Sequence, residues 1–192
     1  VDMEFTDINK NKVLYSDIKY SEVDLSKIET VFTENDLVDA TEIIPIEISR
    51  GCIFKCKFCS YELTNKKTDD YTKNEDLIYE ELLCNYEKFK TQHYIIIDDL
   101  INDSVKKVDM LERVIKRLPF PIYFSGYLRL DMLFKYPSMI RQLKDMGMVA
   151  CFFGIETIND AIRHKQHCHP LPPSLNKKMS IHLPANFGVK AQ

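Results

Sequence analysis

The stretch IIPIEISRGCIFKCKFC, residues 43–59, decides how the chain is read. Its first seven residues alternate or run apolar over the length of a strand, with Pro45 near the start, where a missing backbone donor is tolerated. Gly51 lets the chain turn sharply as it leaves the strand. Cys52, Cys56 and Cys59 then crowd into eight positions. Three thiolates in one loop reach three corners of a compact metal centre. A structural zinc site takes four ligands, and no nearby Cys or His is spaced to complete one. A cubane 4Fe-4S cluster held by three thiolates leaves one iron open to an outside ligand, as catalysis requires, whereas electron-transfer clusters normally have every iron held by protein.

Downstream, the apolar pattern switches between the two regular periods. Thr72 with Glu75 three residues on is a capping-box start, and Ile78, Leu82, Tyr86 and Phe89 recur at helical spacing. Residues 93–98, HYIIID, are short and nearly all apolar, which predicts a strand covered on both faces in a parallel sheet. A second helix starts near Ser104, carries Val108, Leu111, Ile115 and Leu118 on one stripe, and ends before Pro119. Residues 121–127 are the third predicted strand. Pro137 opens a third helix with Met139, Ile140, Leu143 and Met146 inward, Gly147 stops it, and residues 148–155 are the fourth strand. Strand and helix thus alternate four times over short connections, so the class is α/β with parallel crossovers, barrel-like or open. Functional residues of both forms gather at the carboxyl ends of the strands. At those ends stand the three cysteines, then Asp98 and Asp99, then Ser125 and Arg129, then Glu156.

A chain of 192 residues and 22.5 kDa is one domain with a real core. Lys+Arg 26 against Asp+Glu 29 leaves a net charge of -3, without the excess of positive charge that a dedicated nucleic-acid binder carries. No apolar run approaches the ~18 residues of a membrane span. The acidic opening VDMEFTD lacks a secretory pattern, so no membrane partner and a cytoplasmic address are expected. Val1, where an intact reading frame supplies Met, is read as the mark of a fragment. Six Cys fall below the density of a disulfide scaffold, and Cys84 and Cys151 read as small hydrophobes. Lys55, Lys57, Lys66 and Lys67 interleave with Phe54, Phe58 and Tyr61, which fits an RNA-binding knuckle or, equally, a solvated loop around an iron-sulfur site. Asn102, Asp103 and Ser104 match a glycosylation sequon without meaning in the cytosol.

The segment ISRGCIFKCKFC, with aromatic Phe58 before its last cysteine, resembles the signature of the radical S-adenosylmethionine (SAM) superfamily. The succession PIEISRGCIFKCKFCSY, YIIIDDLINDSVKK, FSGYLRLDML and CFFGIET, over roughly residues 43–160, resembles a branch related to cobalamin-binding members. That resemblance implies a partial TIM-like (β/α) barrel and a 4Fe-4S cluster on Cys52, Cys56 and Cys59. The open iron would chelate the amino and carboxylate groups of S-adenosyl-L-methionine. An electron from a reductant such as flavodoxin or ferredoxin would cleave the sulfonium to a 5'-deoxyadenosyl radical, which abstracts hydrogen from a substrate the sequence does not name. By the same resemblance the backbone around Phe58 faces the adenine, and Asp98 or Asp99 accepts from the methionyl ammonium, where relatives often carry a Gly-Gly-Glu segment. Arg129 neutralises the methionyl carboxylate, to which a guanidinium is matched by its planar donors. Ser125 or Glu156 bonds the ribose or methionyl part. Against these roles stand bland ones: Asp98 and Asp99 ending a strand and capping the next element, and Arg129 paired with Asp131 or Asp145.

The resemblance stops short of a whole barrel. Relatives usually build six strand-helix units, and four are recognisable here. Residues 1–42 read as an irregular lead-in packed on the core at 43–160. Residues 161–192 hold no Asp or Glu but four of the five His and four of the eight Pro. They read as an aberrant, disordered tail without a fifth strand, in which His164, His167, Cys168 and His169 bind nothing specific. The chain is therefore read as a shortened member. Its alternatives are a non-catalytic iron-sulfur remnant and a zinc- or RNA-binding module.

Overall fold

Alternating strands and helices do assemble into one parallel sheet. The structure, a computed structural model, describes residues 24–56, 59, 71–154 and 188–190. The strands are β1 (Ile44–Ile46), β2 (His93–Ile96), β3 (Tyr123–Leu128), β4 (Met148–Phe153) and β5 (Gly188–Lys190), laid side by side in chain order with every pair parallel. Between them run α1 (Glu75–Phe89), α2 (Val105–Arg117), α3 (Leu130–Lys135) and α4 (Ser138–Asp145). In the sheet, Ile44 lies beside Tyr94, Tyr94 beside Phe124, and Phe124 beside Met148. These four side chains are buried, together with Ile78 and Leu82 of α1, Val108 and Leu111 of α2, and Met139 and Leu143 of α4. The helical stripes read from the sequence are thus the faces that meet the sheet. Removing them from water is the main favourable term of the fold.

Helix ends follow ordinary capping chemistry. Asn74 caps α1 through its side chain, which accepts from Asp76 N at 2.8 Å, so the start lies two residues beyond the expected Thr72. Ser104 caps α2 in the same way, accepting from Lys107 N. Gly147 ends the third expected helix at a φ of 101°, and a Cβ there would lie 2.0 Å from the Ile122 carbonyl oxygen. That position excludes every other residue.

Four expectations change. The run at 93–98 is covered on one face only: Tyr94 and Ile96 are buried, whereas His93 is exposed and Ile97 is 53% exposed. Among the described residues the helices' buried stripes pack in one core with the inward strand side chains, so the alternate side chains of each strand lose only part of their contact with water. Arg129 is followed by a short helix, α3, whose Leu130 and Leu133 are buried at i,i+3 spacing. β1 is shorter than the apolar run suggests. Finally, Gly188–Lys190 adds a fifth strand to β4 where the sequence offered none. Its backbone takes up the hydrogen-bonding edge that β4 would otherwise present. The rest of that tail up to 187, including His164, His167, Cys168 and His169, lies outside the described residues.

Around Thr30 the described part of the lead-in is bonded to α1 and to Lys73. Thr30 N donates to Glu81 Oε1 at 2.7 Å, and Lys73 Nζ bonds the same oxygen at 2.6 Å and Thr30 Oγ1 at 3.1 Å. Cys151 is buried in the core, while Cys84 is half-buried on α1.

Candidate active site

Where β1 runs out, a side chain continues the ladder. The last strand bond joins Ile97 N to Ile46 O at 3.0 Å. Beyond it, Ile48 N and Ser49 N both donate to Asp98 Oδ1, at 2.8 and 3.0 Å, and Ser49 Oγ donates to Asp98 Oδ2 at 2.6 Å. Lys107, reaching up from the first turn of α2, places Nζ 2.8 Å from Asp98 Oδ2 and donates to Ser49 Oγ and to the Leu100 carbonyl. Asp98 is therefore buried and fully engaged by protein.

Asp99 stands differently. It is half-buried and lies beside the Gly51 N–H, the amide next to Cys52. Burial, and then repulsion from Asp98, hold its carboxyl above the usual range, while the Gly51 N–H and Lys107 act the other way. Gly51 itself has a φ of 90°, a backbone open to glycine and strained for other residues, which supports its reading as the turn into the cysteines.

At the end of β3 the same device recurs. Asn102, fully buried, donates through Nδ2 to Arg129 O at 2.9 Å and accepts from Arg129 N at 2.7 Å. Ile101 N adds a bond to Tyr127 O at 2.9 Å. Both ends of the Asn102 amide are thus used, and its enclosure contradicts any value as a glycosylation acceptor. The loop between Asp98 and Ser104 is in effect stitched to β1 on one side and β3 on the other.

Arg129 itself is buried. Its Nε and Nη2 form a two-pronged pair with Asp131, at 2.9 and 2.8 Å, as the bland reading of this residue supposed. The guanidinium lies over the ring of Phe54, a residue of the cysteine loop, with its central carbon 3.3 Å from the ring centroid. Among the described residues Nη1 is buried and has no hydrogen-bond partner. An unpaired buried donor costs roughly 1–3 kcal/mol, which an arriving acceptor recovers. Ser125 lies half-buried in the middle of β3, between Ile95 and Ala150.

Cys52 is buried, which raises its thiol to about 11, an effect the Phe54 N–H partly offsets. Cys56 and Cys59 are half-buried and linked by a turn, Cys59 N donating to Cys56 O at 3.0 Å. Among the described residues no three His, Cys, Asp or Glu side chains stand close enough together to hold a metal as they are. Cys52, Cys56 and Cys59 are donors of the kind an iron-sulfur centre takes, but this structure does not gather them into one site. Phe58 and Glu156 lie outside the described residues. Among the described helices none is long and apolar enough to cross a membrane.

Sequence reading placed Asp98, Asp99 and Arg129 at this edge, and it missed Asn102 and Lys107. A polar residue two or more positions past a strand is a signal for such side chains only when its burial is known.

Comparison with known proteins bears on the family and the fold. The sequence profile of the Radical SAM superfamily matches residues 46–175, well over half of the chain. No curated protein matches it. Among solved structures it is similar to the cobalamin-dependent S-adenosylmethionine radical enzyme OxsB with aqua-cobalamin and S-adenosylmethionine bound, at a TM-score of 0.52 and 14% identity over 65% of this chain and 20% of that one. It is also similar to the radical S-adenosylmethionine methyltransferase TsrM from Kitasatospora setae. With tryptophan substrate and a SAM analogue bound, the TM-score is 0.52 and the identity 13%, over 68% of this chain and 25% of that one. With cobalamin and a [4Fe-4S] cluster bound, the values are 0.51 and 14%, over 66% and 23%. This chain spans a fifth to a quarter of those relatives, and at such identities the likeness is one of fold.

Proposed function

This chain belongs to the radical SAM superfamily, and from that premise we propose that it supplies the cofactor-holding core of an enzyme that abstracts hydrogen from its substrate. Cys52, Cys56 and Cys59 would hold a 4Fe-4S cluster, with SAM on the open iron. When bound, the cluster and SAM supply a reductive cleavage of the sulfonium and the 5'-deoxyadenosyl radical that it yields. A small reduced protein such as flavodoxin or ferredoxin would deliver the electron, and a reducing cytoplasmic compartment suits such a site.

The observation that carries this reading is Arg129 Nη1, a buried cationic donor with no partner among the described residues, stacked on a ring of the cysteine loop. A carboxylate is the group it fits. Because Asp131 already holds the Nε and Nη2 edge, Arg129 would grip the methionyl carboxylate through one donor, not two. Asp99, and not the engaged Asp98, would receive the methionyl ammonium, since it is half-exposed and sits against the Gly51 amide. Ser125 would bond the ribose, Glu156 the ribose or methionyl part, and the backbone at Phe58 the adenine.

Anaerobic reconstitution tests the proposal. The expected result is four irons and four acid-labile sulfides per chain, and 5'-deoxyadenosine after reduction in the presence of SAM. Stoichiometric zinc without sulfide would overturn it.

A further inference from the structure

Of the buried charges, Lys107 has the least obvious use. It sits in the first turn of α2, where the helix dipole disfavours a cation, and its side chain is 2% exposed. Burying an ammonium costs several kcal/mol, and an apolar side chain of the same length would fill the space without that cost. Lys107 does not stabilise the fold in the cheapest way.

Its partners show what it does instead. Nζ has three protons, and they go to Ser49 Oγ, Asp98 Oδ2 and the Leu100 carbonyl. Ser49 is three residues before Cys52. On the other side Asp103 Oδ2 is 4.0 Å away, and Asp103 Oδ1 accepts from the Tyr71 hydroxyl at 2.8 Å. The same ammonium lies over the Tyr71 ring, 5.7 Å from its centroid. Tyr71 stands at the far foot of the loop that carries the cysteines. The two feet also touch through the backbone: Arg50 N bonds Tyr71 O at 3.0 Å, Lys73 N bonds Ile48 O at 2.7 Å, and Ser49 forms a bridge with Thr72. Among the described residues the side-chain partners of Lys107 therefore fall on one or other foot of this loop or on the segment just after β2.

We infer that Lys107 is a positioning residue for the cysteine loop, holding its two feet at Ser49 and Tyr71 together against the segment after β2, so that a cluster bound there is released slowly. The inference rests on the iron-sulfur reading of Cys52, Cys56 and Cys59. A second buried pair, Lys73 with Glu81, offers a natural control. It is equally enclosed, but its side-chain partners are Glu81 and Thr30, so the ion pair fastens the lead-in to α1, and Lys73 joins the loop's feet only through its backbone N–H to Ile48 O.

The test compares the reconstituted wild-type chain with Lys107→Met, Lys107→Arg, Tyr71→Phe and Glu81→Gln. The rate of iron loss to a chelator is measured beside the thermal midpoint, and amide exchange at Arg50 and Lys73 is followed in the metal-free chains. Lys107→Met should speed iron loss roughly tenfold and exchange at both amides by a similar factor, in line with the loss of charge-assisted bonds. Tyr71→Phe, which removes one hydroxyl and keeps the ring, should speed iron loss about threefold at a near-normal midpoint, and so decides the matter if Lys107→Met does not fold. Lys107→Arg should recover part of the slow release. Glu81→Gln should lower the midpoint and leave iron loss within about twofold of wild type. Equal iron loss from Lys107→Met and Glu81→Gln at equal midpoints, or unchanged exchange at Arg50, would overturn the inference. A wild-type chain that takes up neither iron nor sulfide overturns the iron-sulfur reading instead, while exchange at Arg50 still judges the clamp.

Discussion

Replacing Asn102 by Ala should cost more stability than almost any other single change near the site. The side chain is fully buried and makes two backbone bonds, at 2.7 and 2.9 Å, to the N–H and C=O of Arg129. Alanine leaves both groups enclosed without a partner, and each such group costs roughly 1–3 kcal/mol, so the two together come to about 2–6 kcal/mol. For a domain of this size that is a fall of the order of 10 °C in thermal midpoint. Asn102→Asp separates the halves: it keeps the acceptor for Arg129 N, loses the donor for Arg129 O, and brings a charge into a buried site. It should therefore also destabilise. Urea unfolding of the metal-free chain measures both, with the slope checked for constancy so that the midpoints can be compared. A loss below about 0.5 kcal/mol for Asn102→Ala would show that water replaces the amide at no cost, and the view of this loop as stitched to β3 would be wrong.

Replacing Cys52, Cys56 or Cys59 by Ala should abolish the cluster as read by iron and sulfide content, whereas Cys84→Ala, on α1, should keep the full complement. Asp99→Asn should weaken SAM binding to the reconstituted chain about tenfold with little change in folding, while Asp98→Asn should lower the thermal midpoint; the reverse pattern would exchange their roles. Gly147→Ala should destabilise by several kcal/mol or prevent folding, because its Cβ would overlap the Ile122 carbonyl oxygen at 2.0 Å, and a normal midpoint would contradict the turn described there. Burial raises the Asp103 carboxyl above its ordinary value, with Lys107 and the Tyr71 bond opposing. The native state then holds this proton more tightly than the unfolded chain does, so stability from this group is present at low pH and lost as pH rises through the raised value. Stability of Asp103→Asn relative to wild type should accordingly improve from about pH 4 upward, and a gap that does not move with pH would refute the assignment.

The parts of this fold that could be read from the sequence are those that repeat. Ile78 and Leu82, or Val108 and Leu111, recur at a helix's period because each must meet the sheet, and that requirement is written into spacing. Faces are less legible. The run Tyr94 to Ile97 is apolar throughout, yet Ile97 is more than half exposed, because composition reports what a strand tolerates and not what covers it. A fifth strand of three residues, Gly188–Lys190, is too short to leave any period at all.

Polar positions past the strand ends were legible in the sequence, and how they divide between turn-building and exposed groups was not. Asp98 and Asp99 are adjacent and identical, and nothing in their order says that the first closes the ladder beyond Ile46 while the second stays half-exposed beside Gly51. The same holds at β3, where Asn102, easily dismissed as a sequon, takes over the backbone pairing at Arg129. β1 ends before its apolar pattern does and β3 ends at Leu128, and in both places a side chain from the loop after β2 supplies the next rung. A side chain can end a ladder at an angle that another strand cannot, and this frees the backbone beyond it to turn toward the site. Positions that look catalytic in a sequence, polar and just past a strand, are for that reason divided between residues that build the turn and residues that face what enters it. Burial separates the two: Asp98, Asn102 and Lys107 are enclosed with their bonds made, whereas Asp99 keeps part of its surface and Arg129 keeps one donor without a partner among the described residues.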